Sequence, residues 1–596
     1  MKKSKTSIFP HFFFIKFFFS LVALGVLAKL FSIQLLQHSH YSALAEGQHW
    51  QRETLPAKRG RIYSSDSYPL ATSREAYDFY LINTEFDLKI DAEEKTAGSA
   101  FDQLALLLSE HKIWPSDEEE LDTRKAQFRE SLNDETVRWL LIQKQLSQET
   151  KQVISEKFNG VYFQLHYRRF YPEKTLAAHI LGFVGTNAAD EDQGYFGLEG
   201  YYDRDLAGQP GRLSLEKDAS GNPIPAGGYI AKQPQDGYGL TLTLNRELQY
   251  LLEKKLQEGV KKYGAKSGTF ILLESSSGQV LAMASKPTFD PNYWEKAIAP
   301  PEKDAELISH TNLAISENYE PGSVLKTVVM SAGLQENIVE PSTTFECTGP
   351  LTLQGYQIRT WNNRYHGPET MAEVLQHSCN IGASWLSQQL GVEKYYKYVQ
   401  EYHLGEKTGI DLEGEDSGII KPKNEWGEID LATAAFGQGI AVTPLQLATV
   451  FSTIANNGVR MPPYIVQKIH QDEREVTVHP PKPERVLSEK NAVKLKRMLQ
   501  DVVEKGEFKW FVEQSGLDKF AIAGKTGTAQ IPKGGTYDPH KTNVTFVGFC
   551  PVIEPEFVLL VKLEEPSTST YSADTAVPLW LEMAKDLIIY FGISPK

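Results

Sequence analysis

The stretch ENYEPGSVLKTVVMSAGLQ, Glu317 to Gln335, sets a serine and a lysine three residues apart at the head of an apolar run. On a helix, positions i and i+3 are neighbours, so the Lys326 amine and the Ser323 hydroxyl meet. A lysine desolvated among apolar side chains becomes neutral readily and can take the hydroxyl proton. Pro321 and Gly322 suit a helix start, which leaves N-terminal N–H groups free to stabilise an oxyanion. The spacing alone is cheap, since Ser109/Lys112 and Ser214/Lys217 share it, but neither of those pairs precedes a run such as TVVMSAGL. Ser323 therefore needs partners elsewhere in the chain.

One partner is expected in LQHSCNIGASWL. Read as a turn between helices, it presents Ser378 and Asn380 on one side, where a hydroxyl relays protons and an amide binds substrate. Ser-x-Asn also occurs at Ser131, Ser220 and Ser316, so the pattern is informative only in context. Another partner is a Lys-Thr-Gly tripeptide, which occurs twice. The copy at Lys407 follows a helical run and is crowded by Asp411, Glu413, Glu415 and Asp416, so it reads as a surface turn. The copy at Lys525 sits on an expected strand with no acid between Asp518 and Asp538. There Gly527 lets a ligand backbone approach, Thr526 and Thr528 offer hydroxyls, and a peptide can add as a further strand. A phosphate-binding loop is excluded, because Lys519 stands where its first glycine belongs and Pro532 and Gly534 follow where a helix is needed.

Outward from these motifs, LTLTLNRELQYLLEKKLQEGVKKYG reads as a short strand and a long amphipathic helix, and SGTFILLESSSGQVLAMASK as two strands about a turn. FAIAGKTGTAQI, TNVTFVGFCPV and EFVLLVKLEEP are three more strands, and ADTAVPLWLEMAKDLIIYFG is a closing helix. Helices between a first strand pair and a last strand group give an α+β arrangement about one sheet. Upstream, AGSAFDQLALLLSEH and DETVRWLLIQKQL carry helical spacing, and the Gly/Pro-rich Asp218–Gly239 stretch reads as a boundary.

The whole chain of 596 residues is too long for one ordinary domain. Its net charge of -14 argues against nucleic acid as a partner. Three cysteines, Cys347, Cys379 and Cys550, show neither a disulfide framework nor metal-ligand spacing. At the N-terminus, Lys2, Lys3 and Lys5 precede an apolar run from Phe12 to Leu36, and no acid appears before Glu46. That run is long enough to span ~30 Å of hydrocarbon, with Lys16 and Lys29 near its ends. The basic flank places the N-terminus inside and the remainder outside; a cleaved signal peptide at Ala23 or Gly25 is the competing reading.

The ordered set Ser323-x-x-Lys326, Ser378-x-Asn380, Lys525-Thr526-Gly527 resembles the penicillin-binding protein and serine β-lactamase superfamily. AKRGRIYSSDSYPLATS, RRFYPEKTLAAHILGFVG, GLEGYYDRDLAGQPG and KDASGNPI resemble the N-terminal module of class B penicillin-binding proteins. YEPGSVLK, AAFGQGIAVTPLQLA and GKTGTAQ resemble their transpeptidase domain, and HLGEKTGIDLEGE is similar to a non-catalytic segment there. Two departures stand out: YSSDSYPLA lacks a common Asp-Arg-Asn-Gly, and Cys379 occupies the middle of the second motif, where it reads as a small buried filler.

The resemblance implies a cytoplasmic tail and anchor over residues 1–37, a non-catalytic, dimerisation-like pedestal over 38–236, and over 237–596 a transpeptidase domain with an antiparallel sheet flanked by helices. It implies a single-pass protein of the cytoplasmic membrane that cross-links peptidoglycan stem peptides on the outer side. Ser323 would attack and Lys326 would act as base. Ser378 and Asn380 would relay protons and hold peptide, and Lys525, Thr526, Gly527 and Thr528 would bind the substrate carboxylate and backbone. Neither metal nor organic cofactor is needed. With no glycosyltransferase module, lipid-linked precursor polymer would come from a partner polymerase, alongside other cell-wall or division proteins, and GQGIAVTPLQLATVFSTIANNG leans to the division-type branch. A β-lactamase or carboxypeptidase, a β-lactam sensor and a silent division scaffold are the alternatives; the intact motifs argue against the last.

Overall fold

The structure is a computed structural model that describes residues 9–42, 50–82, 85–88, 97–132, 139–189, 191–216, 229–298, 309–471, 474–478, 482–534 and 536–596. Phe9–Phe31 is a continuous α-helix that passes into a π-helical turn at Ser32–Leu36. Phe13–Leu36 is long and apolar enough to cross a membrane, and none of it is buried in the protein.

The chain forms two compact units, one of residues 1–58 with 208–236 and the other of residues 59–207 with 237–596. In the first, Trp50–Leu55, Gly211–Glu216 and Tyr229–Lys232 build a three-stranded antiparallel sheet. Tyr229–Lys232 belongs to the Gly/Pro-rich stretch read as a boundary; residues 218–228 of that stretch lie outside the described residues.

In the second unit, the long strand Pro69–Ile82 pairs antiparallel with Val161–Phe170 and with Trp139–Leu146. The latter corrects the helical reading of DETVRWLLIQKQL. Its apolar residues fall at helical spacing, but pairing with Tyr77–Ile82 satisfies the backbone and buries Ile142 and Leu146, so tertiary pairing overrides the local pattern. The expected helix in AGSAFDQLALLLSEH is present as Ala97–Glu110.

Three of the quoted upstream segments converge on one buried carboxylate. Glu199 accepts from Arg59 Nε at 2.6 Å, Arg169 Nε at 2.5 Å and the Tyr171 hydroxyl at 3.2 Å. Burial pushes the Glu199 pKa up, but Arg169 and Arg59 outweigh that and leave it below the ordinary carboxylate value.

The rest of this unit is an α+β domain. Helix α1 (Arg246–Tyr263) starts where the Asn245 side chain accepts the Leu248 N–H and stops at Gly264 in left-handed backbone. Strands β1 (Ser267–Leu273) and β2 (Val280–Lys286) follow as a hairpin. Next come helices α2 (Lys326–Gln335), α3 (Met371–Gln376), α4 (Asn380–Glu401), α5 (Pro444–Ala455) and α6 (Glu489–Lys505). Strands β3 (Ala523–Lys533), β4 (Thr536–Cys550) and β5 (Phe557–Glu564) and helix α7 (Ala576–Tyr590) complete it. The sheet order is β2-β1-β5-β4-β3, antiparallel throughout, so β3 is an edge strand. Every residue of β1 is buried, which requires cover on both faces. Helices α1 and α7 pack on the sheet together, and α5 packs against β1, β4 and β5. The five strands read in SGTFILLESSSGQVLAMASK and in the three C-terminal runs are therefore present in one sheet, as is the closing helix, but the short strand read in LTLTL, Gly239–Leu242, pairs instead with Ile62–Tyr63 and Val466–Gln471 in a different sheet.

Candidate active site

The site lies where β3 meets the start of α2. Ser323 sits on a single 3-10 turn, Gly322–Leu325, that feeds directly into α2. The turn is braced from two sides. Gly322 N–H donates to the Gly437 carbonyl at 3.2 Å, and Gly439 N–H donates to Glu320 at 2.9 Å. On the other side is Gly527, where an added Cβ would come 2.5 Å from the Pro321 carbonyl oxygen and 2.7 Å from Val324 Cγ2. The glycine of the Lys-Thr-Gly strand thus makes room for the protein's own serine turn.

Lys326 is fully buried on the first turn of α2. Its Nζ lies 2.6 Å from Ser323 Oγ, 2.9 Å from the Ser378 carbonyl, 3.2 Å from Ser378 Oγ and 2.7 Å from Asn380 Oδ1. Burial drives its pKa well below the ordinary lysine value, and the nearby Lys525 charge lowers it further. Ser378 lies in the turn between α3 and α4, as expected, in left-handed backbone at φ 55, and Asn380 is the first residue of α4. Asn380 also donates from Nδ2 to the Arg359 carbonyl at 3.0 Å, which fixes its amide and aims Oδ1 at Lys326.

Lys525, 1% exposed, reaches from β3 to the same serine, with Nζ 3.1 Å from Ser378 Oγ and 3.3 Å from Thr526 Oγ1. Burial lowers its pKa to about 8, against a rise from Glu507. Thr526 and Thr528 line a cleft of about 500 Å³ together with Ser323, Ser378 and Asn380. Thr528 Oγ1 lies 3.0 Å from Ser572 Oγ and accepts the Ser572 N–H at 3.2 Å. The structure therefore brings Ser323, Lys326, Ser378, Asn380 and Lys525 into one hydrogen-bonded cluster, with Thr526, Gly527 and Thr528 along its edge.

The other Lys-Thr-Gly is far from this chemistry in character. Lys407 is exposed, and Glu415 accepts the Thr408 N–H at 2.7 Å. Asp411 is not a surface charge near that lysine, contrary to the sequence reading. It is buried and accepts the N–H groups of Ile465 and Val466, both at 2.8 Å. The acids that looked like a solvated cluster include part of the interior scaffold.

Sequence reasoning missed several cleft residues. Glu507, the aromatic pair Trp361 and Tyr571 (ring centroids 5.5 Å apart) and Ser572 all line the cleft. They come from loops far apart in the chain, and no local pattern marks them. Gln438 also lines it; its neighbouring glycines were visible in AAFGQGIAVTPLQLA, without their role as a brace. Cys379 is buried, as expected of a filler, and its thiol caps α4 by accepting the Gly382 N–H at 3.3 Å.

Comparison with known proteins identifies both domains. Residues 268–585 match the penicillin binding protein transpeptidase domain, and residues 54–242 match the penicillin-binding protein dimerisation domain. Stage V sporulation protein D of Bacillus subtilis is 30% identical over 100% of this chain and 88% of its own. Peptidoglycan D,D-transpeptidase FtsI of Escherichia coli is 30% identical over 73% of this chain and 69% of its own. The crystal structure of penicillin binding protein 3 from Mycobacterium tuberculosis in complex with aztreonam superposes with a TM-score of 0.67 at 25% identity, covering 91% of this chain and 98% of that one. With a cleft serine paired to a buried lysine at the edge of an antiparallel sheet and both domains of the family matched in order, this chain belongs to the class B penicillin-binding proteins.

Proposed function

We propose that this protein is a peptidoglycan D,D-transpeptidase that works through a Ser323 acyl-enzyme. The observation that carries the reading is the buried, charge-suppressed Lys326 with Nζ 2.6 Å from Ser323 Oγ. Lys326 takes the hydroxyl proton as Ser323 Oγ bonds to the carbonyl carbon between the two terminal D-alanines of a stem peptide. The carbonyl oxygen becomes an oxyanion, held by the N–H groups of Ser323 and Thr528. The C–N bond then breaks, the proton passes through Lys326 and Ser378 to the leaving amine, and D-alanine departs. An amine of a neighbouring stem peptide attacks the ester and loses a proton. The C–O bond breaks, and the proton returns to Ser323 Oγ. Lys525, with Thr526 and Thr528, binds the terminal carboxylate and the peptide backbone along the open edge of β3.

We read residues 1–37 as a cytoplasmic tail and membrane anchor, 38–236 as a pedestal and 237–596 as the catalytic domain, N-terminus inside and cleft outside. A separate membrane glycosyltransferase would supply the polymer, in septal or lateral wall synthesis, with the division-type role favoured by GQGIAVTPLQLATVFSTIANNG. The test is cross-linking in vitro. Full-length protein in detergent is given uncross-linked glycan strands bearing pentapeptides, and D-alanine release and dimeric stem peptides are measured. Both products are expected and both vanish in Ser323→Ala; release of D-alanine into water with no dimer would make it a carboxypeptidase.

A further inference from the structure

Behind the His377–Asn380 turn lies a group of donor side chains that the proposed chemistry does not use. Cys347 ends the strand Thr344–Cys347, which pairs antiparallel with Gly367–Thr370, Cys347 opposite Gly367. That pairing brings His366 and Glu369 beside Cys347, and one ligand atom from each lies within 4.8 Å of the other two. From the far side, Cys379 at the start of α4 sets its Sγ 3.4 Å from that of Cys347. Strand pairing thus brings one thiol, an imidazole and a carboxylate together, and the start of α4 sets a second thiol against the first.

A second, independent observation points to a ligand. Glu369 is 2% exposed. Its Oε1 lies 3.2 Å from His366 Nδ1 and 2.6 Å from His377 Nδ1. Among the described residues, its Oε2 is buried with no hydrogen-bond partner. An unpartnered buried carboxylate oxygen carries a desolvation penalty, which a coordinated cation removes.

We propose that Cys347, Cys379, His366 and Glu369 bind a divalent cation of the zinc class. Two thiolates exclude magnesium and calcium, which take oxygen ligands, and a mixed sulfur, nitrogen and oxygen set suits tetrahedral zinc. A tetrahedron with zinc–sulfur bonds of about 2.3 Å has an edge of about 3.8 Å, close to the present sulfur–sulfur separation. His377 stands as the outer partner that orients the Glu369 carboxylate, a usual arrangement around such ions. His366 is partly exposed and gives the ion an access path. Bound there, the cation ties the two strands to the turn that carries Ser378. That turn holds a non-glycine residue in left-handed backbone, which costs free energy unless its surroundings enforce it. The site is thus a clamp beneath Ser378, distinct from the reacting atoms.

The test uses untagged full-length protein in detergent, equilibrated with Zn²⁺ and dialysed, with metal content measured by mass spectrometry. One zinc per chain is expected, lost in Cys347→Ser and in Glu369→Gln. Substitution by Co²⁺ should give tetrahedral d–d absorption with a thiolate-to-cobalt charge-transfer band that Cys347→Ser removes. Because buried variants can misfold, the partly exposed His366→Ala serves as the second variant, expected to weaken zinc binding about tenfold or more while thermal unfolding of the metal-free protein stays unchanged. Wild-type protein that retains no zinc, a cobalt spectrum without thiolate charge transfer, or a Cys347–Cys379 disulfide in metal-free protein as isolated would each overturn the proposal.

Discussion

Lys326 and Lys525 share the Ser378 hydroxyl, and two buried ammonium groups cannot both stay charged so near each other without cost. Burial lowers both, and the neighbouring charge of Lys525 lowers Lys326 further, while Glu507 supports the charge on Lys525, which remains at about 8. Their tasks need opposite states: Lys326 must be neutral to take a proton, and Lys525 must be charged to meet a carboxylate. The second-order acylation rate with a β-lactam should therefore rise as Lys326 deprotonates, well below the ordinary lysine range, and fall above about pH 8 as Lys525 deprotonates. Glu507→Gln removes a stabilising charge, so its alkaline limb should move to lower pH in stopped-flow measurements. An unmoved limb would detach Glu507 from Lys525. Lys525→Ala should slow acylation ten- to a hundredfold, since a charge-assisted hydrogen bond contributes about 1.5–3 kcal/mol. Lys407→Ala, at an exposed side chain, should acylate at the wild-type rate. Which Lys-Thr-Gly joins the buried cluster was legible because acids crowd behind Lys407, whereas none stands between Asp518 and Asp538 around Lys525. Glu507 was not legible, because only the fold brings it to Lys525.

At the scale of elements, the site depends on how closely β3 approaches the turn that carries Ser323. Gly527 permits that approach, and a methyl there would strike the Pro321 carbonyl and Val324. Gly527→Ala should destabilise the domain by about 1–3 kcal/mol through overpacking and slow acylation more than Lys407→Ala does. Thermal unfolding and the acylation rate check the two parts separately, and wild-type values for both would remove the contact from the account. Continuous apolar runs such as FILL and FVLLV made the central strands readable, because a strand buried on both faces needs no alternation. Trp139–Leu146 was misread for the complementary reason. Its helical spacing is a local signal, whereas the partner strand that overrides it lies some sixty residues earlier in the chain. The Cys347, His366, Glu369 and Cys379 group escaped the search for metal-ligand spacing in the same way, since its donors become neighbours only through strand pairing and the start of α4.

For the whole molecule, the buried Arg59–Glu199–Arg169 group places three charged side chains in the interior, away from the cleft. Removing one member of such a cluster leaves uncompensated buried charge, at a cost of about 3–5 kcal/mol. Glu199→Ala should therefore lower the unfolding temperature markedly while each folded molecule still acylates at the wild-type rate. A stability unchanged from wild type would show the cluster to be neutral. Orientation in the membrane has its own check: a reporter active only outside the cytoplasm should work when fused after Lys596 and fail at the N-terminus. The proposed chemistry rests on Ser323, and intact mass after incubation with a β-lactam, followed by peptide mapping, tests it most directly. A single adduct on the peptide that holds Ser323, absent from Ser323→Ala, is the predicted result; an adduct on Ser109, Ser214 or Cys379 would contradict it.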